Sequence, residues 1–356
     1  MVHLNDGLEI DKQSQASEHR FVNSSGVTMS TVAKAAGVAT STVSKALRED
    51  PTIPAKRRLE IQKIAKSLGY RPNPMVATLM ARLHSTRRRN DPHHIAWIDL
   101  WPDEKEAAGA TDFKLMLRGA QQRAGELGYQ IEVHRVGRDG TSAARLHQIL
   151  TSRSQWGLII PPVPLEAMTY PLDLQGLAAV TIGTSLHEPV MHRVAANLYQ
   201  GCHLACCKLR EKGFRRIGLV LSPSMIERVE GRWLGAFLAE QTAWPRAERI
   251  PPLFLASAEK REFYDWLDER KPDVILLAES QIESWLAERK SSRKNPPSAW
   301  LRLLEQSQHN GMAIDTRPEK MGAAAVELVV GQIHRNERGS PQIPHTLLLD
   351  GIWSED

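Results

Sequence analysis

Cysteine is scarce in this 356-residue chain, with only Cys202, Cys206 and Cys207 present, so no disulfide framework can be built and a reducing compartment is indicated. Long apolar runs are also missing, and no stretch approaches the length of a membrane span. The common catalytic signatures are absent. There is no phosphate-cradling GxxxxGK, no GxSxG nucleophile elbow and no HExxH helix, and the turn from Gly137 to Gly140 lacks the dinucleotide fingerprint, so an enzyme is not expected. Residues 1–26 are polar, without the basic start and apolar centre of a secretory signal, and read as a disordered extension of a cytoplasmic protein. A hydrophobic content of 42% nevertheless provides for a substantial core, and the length exceeds one typical domain.

The most informative stretch is 27–46, VTMSTVAKAAGVATSTVSKA. Thr28 can cap a first helix with Val32, Ala33 and Ala36 on its inward face, Gly37 supplies the turn, and Val38 fills the corner. A second helix follows with Val43 inward, which leaves Thr40, Ser41, Thr42, Ser44 and Lys45 outward as short hydrogen-bonding groups suited to base edges. A third helix over 54–68 places Ile61, Ile64, Ala65 and Leu68 on one face and stops at Gly69. Next come Tyr70-Arg71-Pro72-Asn73-Pro74 and the short segment MVATLMARL, whose helix is too brief to stand alone. Charge points the same way. Residues 27–90 hold 13 basic and three acidic side chains, a net +10 in a chain whose total is +5. Such local charge suits phosphate neutralisation.

The ordered run VAKAAGVATSTVSKAL, then LGYRPNP, then a short leucine-bearing helix resembles the DNA-binding headpiece and hinge helix of the LacI/GalR family of bacterial transcription regulators. The resemblance spans about 27–83 and rests on several elements in sequence, not on one short pattern. It implies that Thr40, Ser41 and Lys45 face the major groove, that Tyr70 and Asn73 support the backbone contact, and that Leu79 wedges into the minor groove. Thr28 and Ala77 complete the implied DNA-facing set. The sequence departs from the family at Ala39 and Pro54, where capping serines are usual, and in the basic HSTRRR tail after the hinge.

Beyond residue 90 short apolar runs alternate with amphipathic helices. Strands are expected over 94–100, 129–136, 157–160, 178–183, 216–221, 274–278 and 311–314, with helices such as 113–127 and 198–212 between them. This alternation implies parallel sheets in two open α/β lobes. The resemblance adds that the region is similar to periplasmic sugar-binding proteins, with RIGLVLSPSMIERVEGRWLGAF entering the second lobe. The expected organisation is therefore multidomain: an extension (1–26), an all-α helix-turn-helix headpiece (27–72), a hinge helix and basic linker (73–90), and a two-lobed α/β domain (91–356). Lobe 1 is expected at about 91–190 and 316–340 and lobe 2 at about 191–315 and 341–356, with crossings near Val190, Asp315 and Leu347.

A small molecule would sit between the lobes at the C-terminal ends of strands. The resemblance points to Arg232, three residues before Gly235, as an effector contact, and Trp101 offers a flat face to a sugar ring. Where relatives carry Asn-Asp after the strand at 274–278, this chain has Glu279-Ser280-Gln281, so Glu279 retains an acceptor displaced by a methylene and support for a sugar is weak. Cys202, His203, Cys206 and Cys207 form i,i+4 pairs, but Leu204, Ala205 and Leu209 make their helix a sheet-packing one, in which free cysteines fill core space. His93 and His94 read as a polar strand boundary. No metal and no cofactor are expected. The partners expected are a double-stranded DNA operator, a second copy of the chain in a homodimer, and a small-molecule effector of unknown class, with no membrane. The expected function is a sequence-specific repressor; the alternatives are a low-specificity architectural DNA binder and a cytoplasmic solute-binding protein.

Overall fold

A computed structural model of the protein describes residues 29–47, 52–68, 70, 93–104, 112–153, 155–255, 260–290, 294–303 and 311–355. Two units divide between Ala77 and Thr78. The first holds helices α1 (Met29–Ala36), α2 (Thr40–Leu47) and α3 (Ala55–Ser67). Their core is built from small side chains, Val32, Ala33, Ala36, Val43, Ala46 and Ala65, around the fully buried Ile61. Gly37, at φ +63°, makes the turn between α1 and α2, a conformation that costs a residue with a Cβ. Arg57 ties α3 to the turn by donating to the Ala36 carbonyl at 2.9 Å.

The second unit alternates strands and helices: β1 (His93–Ile98), α4 (Phe113–Glu126), β2 (Tyr129–His134), α5 (Val136–Asp139), α6 (Ala143–Ser152), β3 (Gly157–Ile160), β4 (Ala178–Ile182) and β5 (His192–Ala196). The chain then enters a second lobe with α7 (Leu198–Glu211), β6 (Ile217–Leu221), α8 (Pro223–Arg228), α9 (Arg232–Thr242), β7 (Leu253–Phe254), α10 (Lys260–Arg270), β8 (Val274–Leu277), α11 (Ser280–Glu288), β9 (Ser298–Trp300) and β10 (Met312–Asp315). It returns through α12 (Pro318–Arg335) and β11 (Thr346–Leu349), and ends in β12 (Ile352–Glu355). The sheet orders are β2-β1-β3-β4-β5-β11 and β7-β6-β8-β9-β10-β12. All neighbours are parallel except β10 and β12. Among the described residues no helix is long and apolar enough to cross a membrane.

The central strands are apolar throughout because both faces are covered. In β1, Ile95 and Trp97 face α4 and α12, while Ala96 and Ile98 face α6, following the two-residue period of a strand. In the second lobe Ile217, Leu219 and Leu221 meet α7 and α9, and Val220 faces the aromatic cluster Phe263, Trp266 and Trp285. In the first lobe α4 and α12 approach backbone to backbone. A Cβ on Gly119 would lie 2.0 Å from the Glu319 carbonyl oxygen, and one on Gly322 would lie 1.9 Å from that of Met116.

Two lobe boundaries differ from expectation. β5 belongs to the first sheet, so the chain crosses after Ala196 and not near Val190; β11 also belongs there, which moves the last crossing from near Leu347 to the Asp350-Gly351 pair. The polar opening of β5, His192-Arg193, and the exposed face of β11 hide both strands from an apolar-run reading. The middle crossing runs from β10, which ends at Asp315, to α12, which begins at Pro318. The crossings are laced together. Asn197 donates through its backbone N–H to the Leu349 carbonyl at 2.7 Å and through Nδ2 to Asp350 at 2.8 Å, while the Gly351 N–H donates to Gln200 Oε1 at 3.1 Å.

Candidate functional site

The outward face of α2 follows from where its inward face is spent. Val43 and Ala46 are buried against α1 and α3, so Thr40, Ser41 and Lys45 are exposed and Thr42 and Ser44 half-buried. The helix therefore presents short hydroxyls and one ammonium in two successive turns, with backbone N–H groups of its first turn at one end. Ala39, though it lacks a capping hydroxyl, still starts the helix: its carbonyl accepts from the N–H of Thr42 at 2.9 Å and of Val43 at 3.1 Å. Lys56, Lys63 and Lys66 add exposed positive charge on α3. Tyr70 is half-buried, packs against the headpiece core and donates its N–H to the Ala65 carbonyl at 2.9 Å. Thr28, Asn73, Ala77 and Leu79, and with them the hinge helix, lie outside the described residues.

In the second unit an open cavity with about 660 Å³ of empty space lies between the lobes, where the C-terminal ends of β3, β4, β5, β6, β9 and β10 converge. Its polar lining comes from Asp112, Thr184, Ser185, Arg228, Arg302 and Thr316, set among Met116, Ile182, Leu198 and Trp233. Arg228 ties the lobes together. Its Nη1 donates to the Val163 carbonyl at 2.8 Å, its own carbonyl accepts from the Thr184 hydroxyl at 2.7 Å, and its guanidinium lies over the Trp101 ring at 5.4 Å. Burial, then the nearby Arg302 charge, pushes the Arg228 guanidinium down to about 10, still cationic at neutral pH. Arg302 is also lowered by burial, against the opposing pull of Asp112 and Glu279. A second link joins Arg193 of β5 to Glu230 at 3.5 Å.

None of the three residues expected to touch an effector lines this cavity. Trp101 is 4% exposed, its Nε1–H donates to the Pro162 carbonyl at 2.7 Å, and the ring face intended for a sugar is taken by Arg228. Arg232 pairs with Glu230 instead, at the turn between α8 and α9 where Glu230 and Gly231 adopt φ of +51° and +65°. Glu279 acts as a strut: it accepts from the Ser222 N–H at 3.0 Å and from the Ser222 hydroxyl at 2.7 Å, fastening the end of β8 to that of β6. Arg228 and Arg302 line the cavity and were not singled out from the sequence. Arg228 carries a weak signal, standing four residues before Arg232 in the same segment; Arg302 carries none, since it follows a strand of only three residues.

Cys202 and Cys206 are fully buried in the second-lobe core. His203 and Cys207 face the other way, toward Glu240 on α9.

Residues 26–73 match the family described as "Bacterial regulatory proteins, lacI family". No curated protein matches the sequence. Among solved structures, the complex of the transcriptional regulator CelR with cellobiose is 19% identical, with 92% of this chain and 98% of that one covered and a TM-score of 0.50. A transcription regulator-like protein from Staphylococcus haemolyticus is 14% identical over 75% of this chain and 98% of its own, with a TM-score of 0.54. The Cra transcriptional dual regulator of Pseudomonas putida, in complex with fructose 1-phosphate, is 14% identical over 74% and 99%, with a TM-score of 0.51. At these identities the likeness is one of fold.

Proposed function

We propose that the chain is a LacI/GalR-type transcription regulator, a repressor that binds a pseudo-palindromic operator as a homodimer; the match of residues 26–73 to that family's model and the α/β fold of the second unit support this. The observation that carries this reading is the division of α2, with Val43 and Ala46 buried and Thr40, Ser41 and Lys45 exposed. Two copies related by a two-fold axis place two such helices in successive major grooves. Thr42 and Ser44 lie beside that face, Thr28 and Ala77 belong to the DNA-binding set, Tyr70 and Asn73 support the backbone contact, and Leu79 of the hinge segment wedges into the minor groove and kinks the duplex.

The interlobe cavity takes a small molecule that shifts the angle between the lobes and so alters operator affinity, provided that it binds one lobe arrangement better than the other. Arg228 is the group on which such a ligand would act, because it contacts the cavity and both lobes at once.

Selection of bound duplexes from a random pool at physiological salt tests the reading. A short enriched palindrome with a deformable central step is the expected result; a pool that stays unenriched rejects sequence-specific regulation and leaves architectural or solute binding. On the selected site, Leu79→Ala should weaken specific binding and bending while non-specific affinity stays nearly unchanged, and equal losses on both DNAs would reject the wedge. Lys45→Ala should lower the salt slope by about one if the ammonium meets phosphate, or cost about 1–3 kcal/mol at one base position if it reads an edge.

A further inference from the structure

The face of α7 that points away from the core carries a donor set that the regulatory reading does not use. His203 and Cys207 are one helical turn apart, and α9 brings Glu240 against them. The His203 Nδ1 lies 2.7 Å from Glu240 Oε1, the Cys207 Sγ lies 3.7 Å from His203 Nε2 and 4.0 Å from Nδ1, and one donor atom from each residue falls within 4.8 Å of the others. The two helices are anchored from beneath by Cys202, Ala205, Cys206, Leu209, Trp233, Ala236 and Phe237, all in the second-lobe core. The donors thus project from a rigid base.

We propose that His203, Cys207 and Glu240 bind one divalent transition-metal ion of borderline softness, zinc foremost, with a fourth position left to water. One thiolate, one imidazole and one carboxylate are the mixed set that zinc accepts. Tetrahedral zinc with Zn–S of about 2.3 Å and Zn–N of about 2.0–2.1 Å holds sulfur and nitrogen about 3.5 Å apart, close to the 3.7 Å found here between Cys207 Sγ and His203 Nε2. Coordination requires the Glu240 carboxylate to turn from Nδ1 toward the metal. His203 has about half of its side chain exposed, so the site is open to solution. The sequence alone gives two donors at helical spacing; the third comes from a separate helix, and only the fold supplies it.

The test uses the full chain, stripped with a chelator and titrated with Co2+ as a spectroscopic substitute. A thiolate-to-cobalt charge-transfer band that saturates at one equivalent and is displaced by Zn2+ is the expected result, and its absence overturns the proposal. Cys207→Ser should abolish the band, and Cys206→Ser should keep it. A band that survives Cys207→Ser overturns the site. Glu240→Gln should weaken Zn2+ binding by about tenfold or more, and an unchanged affinity removes Glu240 from the set. His203→Asn gives an independent readout should the serine variant fail to fold: metal bound as tightly as by the parent protein overturns the proposal.

Discussion

The two lobes repeat one strand order but join their helices differently. In the first, α4 and α12 touch through Gly119 and Gly322, where a Cβ would collide with backbone oxygen at about 2 Å. In the second, neither helix glycine meets the facing helix's backbone: a Cβ on Gly201 of α7 would lie 3.3 Å from the Ile314 side chain, and Gly235 of α9 is exposed with nothing within 4 Å. The outer strand differs as well, parallel to its neighbour in the first sheet and antiparallel in the second. A shared topology therefore leaves helix spacing free. The first lobe uses that freedom for close backbone contact, the second for polar groups on facing helices.

Substitutions at one glycine in each lobe separate these designs. Gly322→Ala should cost about 3 kcal/mol or more, because backbone must move and no flexible side chain can yield; a denaturation midpoint within error of the parent protein would break the comparison. Arg228→Ala should cost about 1–2 kcal/mol of lobe closure through the lost Val163 bond and Trp101 contact, read as faster hydrogen exchange around Val163 and Thr184 while β1 and β8 stay protected. Gly235→Ala should be neutral or stabilising by about 0.5–1 kcal/mol, since the helix gains a better former in open space; a clear loss would mean that this position of α9 is packed against a neighbour.

The smallest expected effect is one of pH. Burial lowers the pKa of His134, of His192 (with help from the His345 charge) and of His334 (with help from Arg335), all three in the first lobe. Each is neutral in the fold while the unfolded chain takes up its proton first. Their contribution is thus present above the ordinary histidine value of about 6.5 and is lost as pH falls from there through the depressed values. Hydrogen exchange in β2 and β5, followed from neutral to mildly acidic pH, should show protection falling; constant protection would remove the histidines from the account.

Much of the architecture was legible because the central strands are short apolar runs bounded by turn residues: β3 begins and ends where the sequence placed it, and α4 and α7 end within a residue or so. The hidden elements were those without such a run. β9 has three residues, β5 opens on His192-Arg193, and β11 exposes Leu347 and Leu348 at 49% and 41%, so its apolar residues do not signal burial. The exposed face of α2 was legible for the same local reason, since inward and outward positions follow from helical period alone. The cavity was not. Arg228 lines it and Arg232 does not, and the break between their helices falls at two left-handed residues, Glu230 and Gly231, only one of which is a glycine.

The hydrogen bonds that lace Asn197 to Leu349 and Asp350, and Gln200 to Gly351, turn separate connectors into one pin. A protease cut in the last crossing would leave the lobes joined through the other two and the severed strand held by its neighbours. Rotation about that pin is then the compliant motion, and sliding of one lobe along the other the stiff one. Any torque that a bound molecule exerts inside the cavity would be delivered as a change of angle at nearly constant separation.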